Sequence, residues 1–470
     1  MDWYALILRS IVQPAARWKN GRRHFNSYWR EFQRTQYLPP QELRELQVRR
    51  LQALLDHAYH HSPYYRRQFG RAGVTPADIR DLDDLAALPL VSKERLRAEA
   101  ADLMADNFRA EDLRRQQTSG STGSPMRIYY DRRRADARLA LAYRHDQWTG
   151  WRLGERQSYL WLHDWCAVRD LGPVQRVRWH LSTRIVRRNT WLDAAALDEQ
   201  SMARFAADLK RWRPALIIAY PGAAYVFARF LIEQRIEVPA PKGVITSAEL
   251  LQPQQRPVIE EGLRAPVFDR YGTRETGVIA SECERHHGLH IAADSVLVEV
   301  LADDGAPAAP GEPGEVVVTD LLNYGMPLIR YRIGDTGILS SERCDCGRGL
   351  PLMEMVGGRV GDFLVTPRGT MVTGCYLARI MAQRPGLGQV LFVQDSRDHV
   401  QIKVIPGRGF TPADVDHLEM MLAEQMGPGV SYGREIVREI ERGPGNKHRF
   451  CICNVPTELF RPQRHRSEGA

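Results

Sequence analysis

Apolar positions recur at helical spacing through the first quarter of the chain. Over residues 40–112 the pattern predicts helices, with Val48, Leu51, Leu54 and Leu55 on one face. The run 57–65 is dense in aromatic and imidazole side chains, and Pro63 breaks the helix there. After a polar loop at 116–125, residues 126–130 read as a short strand. Residues 215–219 and 243–246 read as buried strands, each followed by turn residues and a helical stretch. That alternation predicts α/β layering. From Ser295 the strands gather around a Gly/Pro-rich hairpin at 303–314 and run to about Val365, which predicts a β-rich subdomain. A Gly-rich step at 357–361 precedes a last unit, with strands at 390–394 and 400–404 and an amphipathic helix at 411–426. The expected fold class is α/β: a large N-terminal domain of layered α/β with a β-rich subdomain, plus a small mobile α+β C-terminal domain. The expected boundaries are a helical region over 1–115, a large domain over 116–360 and a small one over 361–470.

Composition narrows the function classes. A chain of 470 residues, 43% apolar and 26% charged, is neither collagenous nor a coiled coil nor wholly disordered. Lys plus Arg is 65 and Asp plus Glu is 57, a formal charge of +8 that weakly favours an anionic partner. Clusters such as Arg132-Arg133-Arg134 are short and scattered, so solvated helix faces explain them better than a nucleic-acid surface, and no nucleic acid is expected. The seven cysteines are odd in number and no secretory signal opens the chain, which points to a reducing, cytoplasmic setting. Cys166, Cys375, Cys451 and Cys453 have no partner pattern and read as core residues. No run of about 18 apolar residues exists, so no transmembrane segment is expected. The stretch Trp3-Tyr4-Ala5-Leu6-Ile7-Leu8, followed by Arg17, Lys19, Arg22 and Arg23, reads first as a helix packed on its own protein. Its second reading is an interfacial helix.

The segment Thr118-Ser119-Gly120-Ser121-Thr122-Gly123 interleaves hydroxyls with glycines, offering donors and close backbone approach to a phosphate. It lacks the lysine of a Walker loop, and taken alone it reads first as a linker and second as a phosphate loop. Further on come Tyr271-Gly272-Thr273-Arg274-Glu275-Thr276-Gly277, Tyr331-Arg332-Ile333-Gly334-Asp335, Gly358-Arg359-Val360-Gly361-Asp362 and Gly445-Asn446-Lys447. In this order the segments resemble the adenylate-forming superfamily that includes acyl-CoA synthetases. The likeness is strongest to phenylacetate–CoA ligases and related capsular-polysaccharide and deazaflavin-adenylating proteins. Leu51 to Tyr59, Ser62-Pro63-Tyr64-Tyr65-Arg66 and Leu88-Pro89-Leu90-Val91-Ser92-Lys93 are similar to that group's N-terminal signature.

The resemblance implies a role for each motif. Thr118, Ser119, Gly120, Ser121, Thr122 and Gly123 would hold the β- and γ-phosphates of ATP. Glu275 would bind Mg²⁺, a hard cation suited to carboxylate oxygen; otherwise it is a surface acid on a loop. Asp335 would accept both ribose hydroxyls, or is a turn residue after Gly334. Tyr271, Gly272 and Thr273 with Ser247, Ala248 and Glu249 would flank adenine, or belong to core and loop. Arg359 would contact phosphate or ribose, and Asp362 matches the family's hinge position. Lys447 would stand between the acid and the α-phosphate, stabilising developing charge. The residues before it, Gly443-Pro444-Gly445-Asn446, depart from the family's usual Ser-Gly. Trp161 to Trp165 and Tyr220 to Ala224 are expected to line the acid pocket or to be core.

Cys283-x2-His286 and Cys344-Asp345-Cys346 supply donors for a tetrahedral zinc site, and members of the ligase group often carry such a pair of segments. Cys283, His286, Cys344 and Cys346 are the expected ligands, with His290 the alternative to His286. Three thiolates and one imidazole leave no open position, so the site reads as structural. The implied activity is ATP-dependent activation of a carboxylic acid and transfer to an acceptor, first of all coenzyme A. Transfer to an amine or hydroxyl, or a deazaflavin-type adenylyl transfer, are the alternatives. The partners are then small molecules, and a homodimer stays open.

Overall fold

A computed structural model describes residues 3–117, 127–162, 183, 188–194, 197–357, 363–367, 371–373, 376–377, 380–381, 384, 386–407, 409–440 and 451–455. Its first part is helical. In Pro40–His61 the buried residues Leu43, Leu51, Leu54, Leu55 and Ala58 recur at spacings of three, four and their sums, one face of the helix. Ser62 ends that helix and starts the next, Pro63–Ala72: its Oγ accepts the Tyr65 N–H at 3.5 Å and Pro63 occupies the first turn, where no N–H is needed.

After the hairpin of β1 (Arg114–Gln117) and β2 (Arg127–Tyr130), eleven strands form one sheet. They are β3 (Gln157–Trp161), β4 (Asn189–Asp193), β5 (Leu216–Ala219), β6 (Gly243–Ser247), β7 (Val267–Thr273), β8 (Gly277–Glu282), β9 (Leu289–Ile291), β10 (Val296–Leu301), β11 (Pro313–Asp320), β12 (Tyr331–Leu339) and β13 (Leu352–Gly357). The spatial order is β10-β11-β12-β13-β9-β8-β7-β6-β5-β3-β4. From β4 through β3, β5 and β6 to β7 the pairs are parallel. Beyond β7 they are antiparallel. The β-rich stretch after Ser295 supplies β10 to β13 of the antiparallel half and joins β8 and β9 where β13 pairs with β9.

The apolar runs of β5 to β7 serve two faces because side chains alternate along a strand. Ile217, Val244 and Val267 pack with Phe205, Phe227 and Ile259 from the crossover helices Glu199–Trp212, Pro221–Glu233 and Gln255–Leu263. Their neighbours Leu216, Ile245 and Phe268 face the other way, onto Trp151 and Leu153. The antiparallel half shares a core with the N-terminal helices, where Leu54, Tyr65 and Leu96 meet Val316, Ile329 and Tyr331.

The C-terminal residues build their own core. A small hairpin of β14 (Phe363–Val365) and β15 (Met371–Thr373) accompanies a four-stranded sheet. The four strands are β16 (Leu387–Ser396), β17 (His399–Pro406), β18 (Ser431–Ile436) and β19 (Cys451–Cys453). Phe392, Ile402 and Cys451 are buried together with Leu418 and Leu422 of helix Pro412–Met426. Asp414 fixes the start of that helix by accepting the Thr411 N–H at 2.8 Å. Among the described residues, no helix is long and apolar enough to cross a membrane.

Candidate active site and candidate metal centre

Parallel pairing brings the C-terminal ends of β5, β6 and β7 to one edge of the sheet. Ala219 is level with Thr246, and Thr246 with Asp269. The segments that follow are therefore neighbours: Tyr220-Pro221-Gly222, Ser247-Ala248-Glu249 and the last residues of β7. Open α/β sheets take ligands at this edge. Trp161, at the end of β3, stacks on Tyr220 with centroids 4.0 Å apart and planes 17° apart. The Ser247 Oγ donates to the Arg270 carbonyl at 2.8 Å, and Ala248 is held at φ 73°, in the left-handed region. The Glu249 carboxylate accepts the Gly222 N–H at 3.2 Å, at the N-terminus of helix Pro221–Glu233, where the helix dipole favours negative charge.

Strand β7 turns tightly into β8. A Cβ on Gly272 would lie 2.6 Å from the Gly277 carbonyl oxygen, so only glycine permits this approach. Thr273 Oγ1 accepts the Thr276 N–H at 3.1 Å and closes the turn. Glu275 sits buried on that turn, within 3.5 Å of the Tyr331 hydroxyl. The Tyr271 hydroxyl donates to Asp335 Oδ2 at 2.9 Å. Burial raises both phenols well above their ordinary value, reinforced at Tyr271 by Asp335 and at Tyr331 by Glu275. Both therefore stay protonated donors, and Tyr271, Glu275 and Asp335 are brought together.

Two arginines of helix Arg132–Trp148 hold this turn by its backbone. Arg138 donates to the Arg274 carbonyl at 3.1 and 3.0 Å and to the Glu275 carbonyl at 3.1 Å. Burial draws its guanidinium down to about 10, still cationic at neutral pH. Arg134 is fully buried, paired with Asp320 at 2.8 Å and bonded to Ser295 and to the Thr276 carbonyl. Arg132 and Arg133 do lie on a solvated face, but Arg134 does not. Its partner lies 186 residues away, beyond the reach of local charge counting. The one local signal is spacing: Arg134, Arg138 and Leu141 share a helix face with buried His145. Thr118, Ser119, Gly120, Ser121, Thr122, Gly123, Arg359, Asp362 and Lys447 lie outside the described residues.

A second cluster joins the end of β8, strand β9 and the loop between β12 and β13. Donor atoms of Cys283, His290, Cys344 and Cys346 all lie within 4.8 Å of one another. Cys283 Sγ is 3.6 Å from Cys344 Sγ, and Cys346 Sγ is 3.4 Å from His290 Nε2. A tetrahedral zinc with bonds of about 2.3 Å to sulfur spaces its sulfurs by roughly 3.8 Å, so the set fits that ion. The imidazole is oriented for it: His290 Nδ1 faces the Leu350 carbonyl at 3.2 Å, which leaves Nε2 toward the thiols. Burial pushes the Cys283 thiol up to about 12 and pulls His290 down to about 4. Burial also opposes ionisation of Cys346, but hydrogen bonds from Arg348 outweigh it and the thiol lies below its usual value.

The histidine of this cluster is His290, not His286. Register decides it. In β9, His290 is level with Ser281 of β8 and Leu352 of β13, which returns it to the strand end carrying Cys283. His286 sits in the intervening turn at φ 51°, its Nδ1 3.2 Å from Glu282 and its ring against Phe268. The spacing Cys-x2-His describes that turn and not a ligand pair.

Residues 364–454 match a family described as the CapK C-terminal domain. A phenylacetate–coenzyme A ligase of Thermus thermophilus is 29% identical over 344 residues, covering 70% of this chain and 73% of the relative. Protein CapK of Staphylococcus aureus is 22% identical over 448 residues, covering 92% and 94%. Among solved structures, 2-hydroxyisobutyryl-CoA ligase with 2-HIB-AMP and CoA in the thioesterification state superposes with a TM-score of 0.64. It is 23% identical and covers 91% of this chain and 92% of that one. The chain is a homologue of the phenylacetate–coenzyme A ligases and of CapK, with the fold of the adenylate-forming CoA ligases.

Proposed function

We propose that this chain is an ATP-dependent acid–coenzyme A ligase. A carboxylate oxygen attacks the α-phosphorus of ATP, the bond to pyrophosphate breaks, and an acyl-adenylate results. The thiol of coenzyme A then attacks the acyl carbon, and AMP leaves. The observation that carries this reading is the meeting of Tyr271, Glu275 and Asp335 at the edge where the parallel strands end. The activity named for the Thermus thermophilus relative supports it.

In this reading Asp335 accepts the ribose hydroxyls while one of its oxygens keeps the Tyr271 donor. A carboxylate has lone pairs enough for all three. Glu275, aimed by the Arg138 clamp on its own carbonyl, would hold Mg²⁺, which neutralises phosphate charge when bound. Ser247, Ala248, Glu249, Gly272 and Thr273 border the adenine, and Trp161 with Tyr220 walls the acid. Thr118 to Gly123 bind the outer phosphates, Arg359 binds phosphate or ribose, and Lys447 steadies the carboxylate and α-phosphate as they combine. The Cys283, His290, Cys344 and Cys346 set would hold a structural zinc, well removed in role from the reaction.

Mass-spectrometric detection of thioesters from a panel of aryl, fatty, hydroxy and sugar acids with ATP and coenzyme A tests the acceptor. Thioester formation supports the proposal. AMP release that needs an amine or hydroxyl instead of coenzyme A favours the second reading.

A further inference from the structure

We propose that residues 3–23 form a peripheral membrane-binding segment that docks the enzyme on an anionic lipid surface. The segment runs as Trp3–Ile7, a π turn at Leu8–Val12 and Gln13–Lys19. Trp3, Ile7, Ile11 and Trp18 are separated by four, four and seven residues, which places them on one helix face. All four point outward, at 68%, 48%, 64% and 72% exposure. Six of the nine exposed large hydrophobics among the described residues lie between Trp3 and Trp18. Folding alone gives no reason for such a concentration, because the same residues inward would gain burial energy.

The charges beside that face select the occupant. Between residues 3 and 30 there are six basic side chains, Arg9, Arg17, Lys19, Arg22, Arg23 and Arg30, and no Asp or Glu. This stretch therefore holds +6 of the chain's +8. Exposed tryptophans beside a one-signed basic cluster suit the lipid interface, where indole sits among headgroups and Lys or Arg meets anionic phosphate. Of the six basic side chains, Lys19, Arg23 and Arg30 are exposed, and a second copy of this chain would set them against their own like charges, which disfavours self-association through the face.

The segment is also anchored so that its apolar face stays outward. Leu8 is 1% exposed and pins the helix to the body. At the other end the Arg22 guanidinium lies 3.4 Å from Asp136, whose second oxygen accepts the His24 N–H at 3.0 Å. Arg17 stacks over the Phe25 ring at 4.2 Å. No described helix crosses a membrane, so the docking is peripheral.

The test is co-sedimentation of the full chain with vesicles of phosphatidylglycerol and phosphatidylcholine, against vesicles of phosphatidylcholine alone. Partitioning about tenfold stronger onto the anionic vesicles, weakened by salt, is the expected result. Trp3→Ser, Ile7→Ser, Ile11→Ser and Trp18→Ser combined should abolish binding to both vesicle types, with an unchanged circular dichroism melt. Lys19→Glu with Arg23→Glu should remove the anionic preference alone. Equal partitioning of the wild type onto both vesicles, or none onto either, overturns the proposal. So does a dimer, seen by light scattering, that the four serine substitutions dissociate, because the face would then be an interface between copies.

Discussion

The hydroxyl of Tyr271 donates to the carboxylate of Asp335 across 2.9 Å, although β7 and β12 are separated in the sheet by β8, β9 and β13. The contact ties the end of the parallel half to the antiparallel half at the edge where the parallel strands end. Because burial and the adjacent carboxylate hold the phenol protonated, it orients Asp335 at any working pH. Tyr271→Phe removes one hydrogen bond to a charged acceptor, worth about 1.5 kcal/mol or more. The expected result is a KM for ATP raised roughly tenfold with kcat changed less. Unchanged KM would place the ribose elsewhere.

Glu275 should show itself through magnesium. Glu275→Gln keeps the size and removes the charge, so adenylation should fall about a hundredfold at limiting Mg²⁺ and recover in part as Mg²⁺ rises. A melting curve that matches the wild type separates this effect from misfolding. Full activity at limiting Mg²⁺ would exclude Glu275 as the ligand.

The Cys/His cluster predicts about one zinc per chain by elemental analysis. His290→Ala and Cys344→Ser should lose the metal and melt several degrees lower, because a structural site's binding energy is folding energy. His286→Ala should keep the metal. The opposite pattern would return the ligand role to His286.

The regular elements were readable because β5, β6, β16 and β17 carry apolar runs bounded by turn residues. The expected stretches at 215–219 and 243–246 match β5 and β6 to within a residue, and those at 390–394 and 400–404 fall inside the longer β16 and β17. The contacts were not readable. Tyr271 and Asp335 each stand in a visible motif, but their meeting depends on sheet order. Arg134 looks like one of three surface arginines until Asp320 arrives from β11. Likewise His286 has the better spacing and His290 the better register, and register determines which side chain reaches the thiols.

Asp269 gives a pH test. Burial, and then the charge of Glu282, push its carboxyl from 3.8 up to about 7. Between those values the folded chain keeps a proton that the unfolded chain has lost. Stability from this group is therefore greatest at acid pH and falls as pH rises toward 7. Asp269→Asn should stabilise the protein by about 1 kcal/mol or more near pH 8 and by little near pH 4. Equal effects at both pH values would show that the carboxyl titrates normally.

The central claim is that this chain makes an acyl-adenylate, and acid-dependent exchange of labelled pyrophosphate into ATP measures that step alone. Exchange should appear with one class of acid in the panel, require Mg²⁺, need no coenzyme A, and vanish in Lys447→Ala. The same variant should still pass the acyl group from a chemically supplied acyl-adenylate to coenzyme A. Absence of exchange with every acid, or full exchange in Lys447→Ala, would contradict the account.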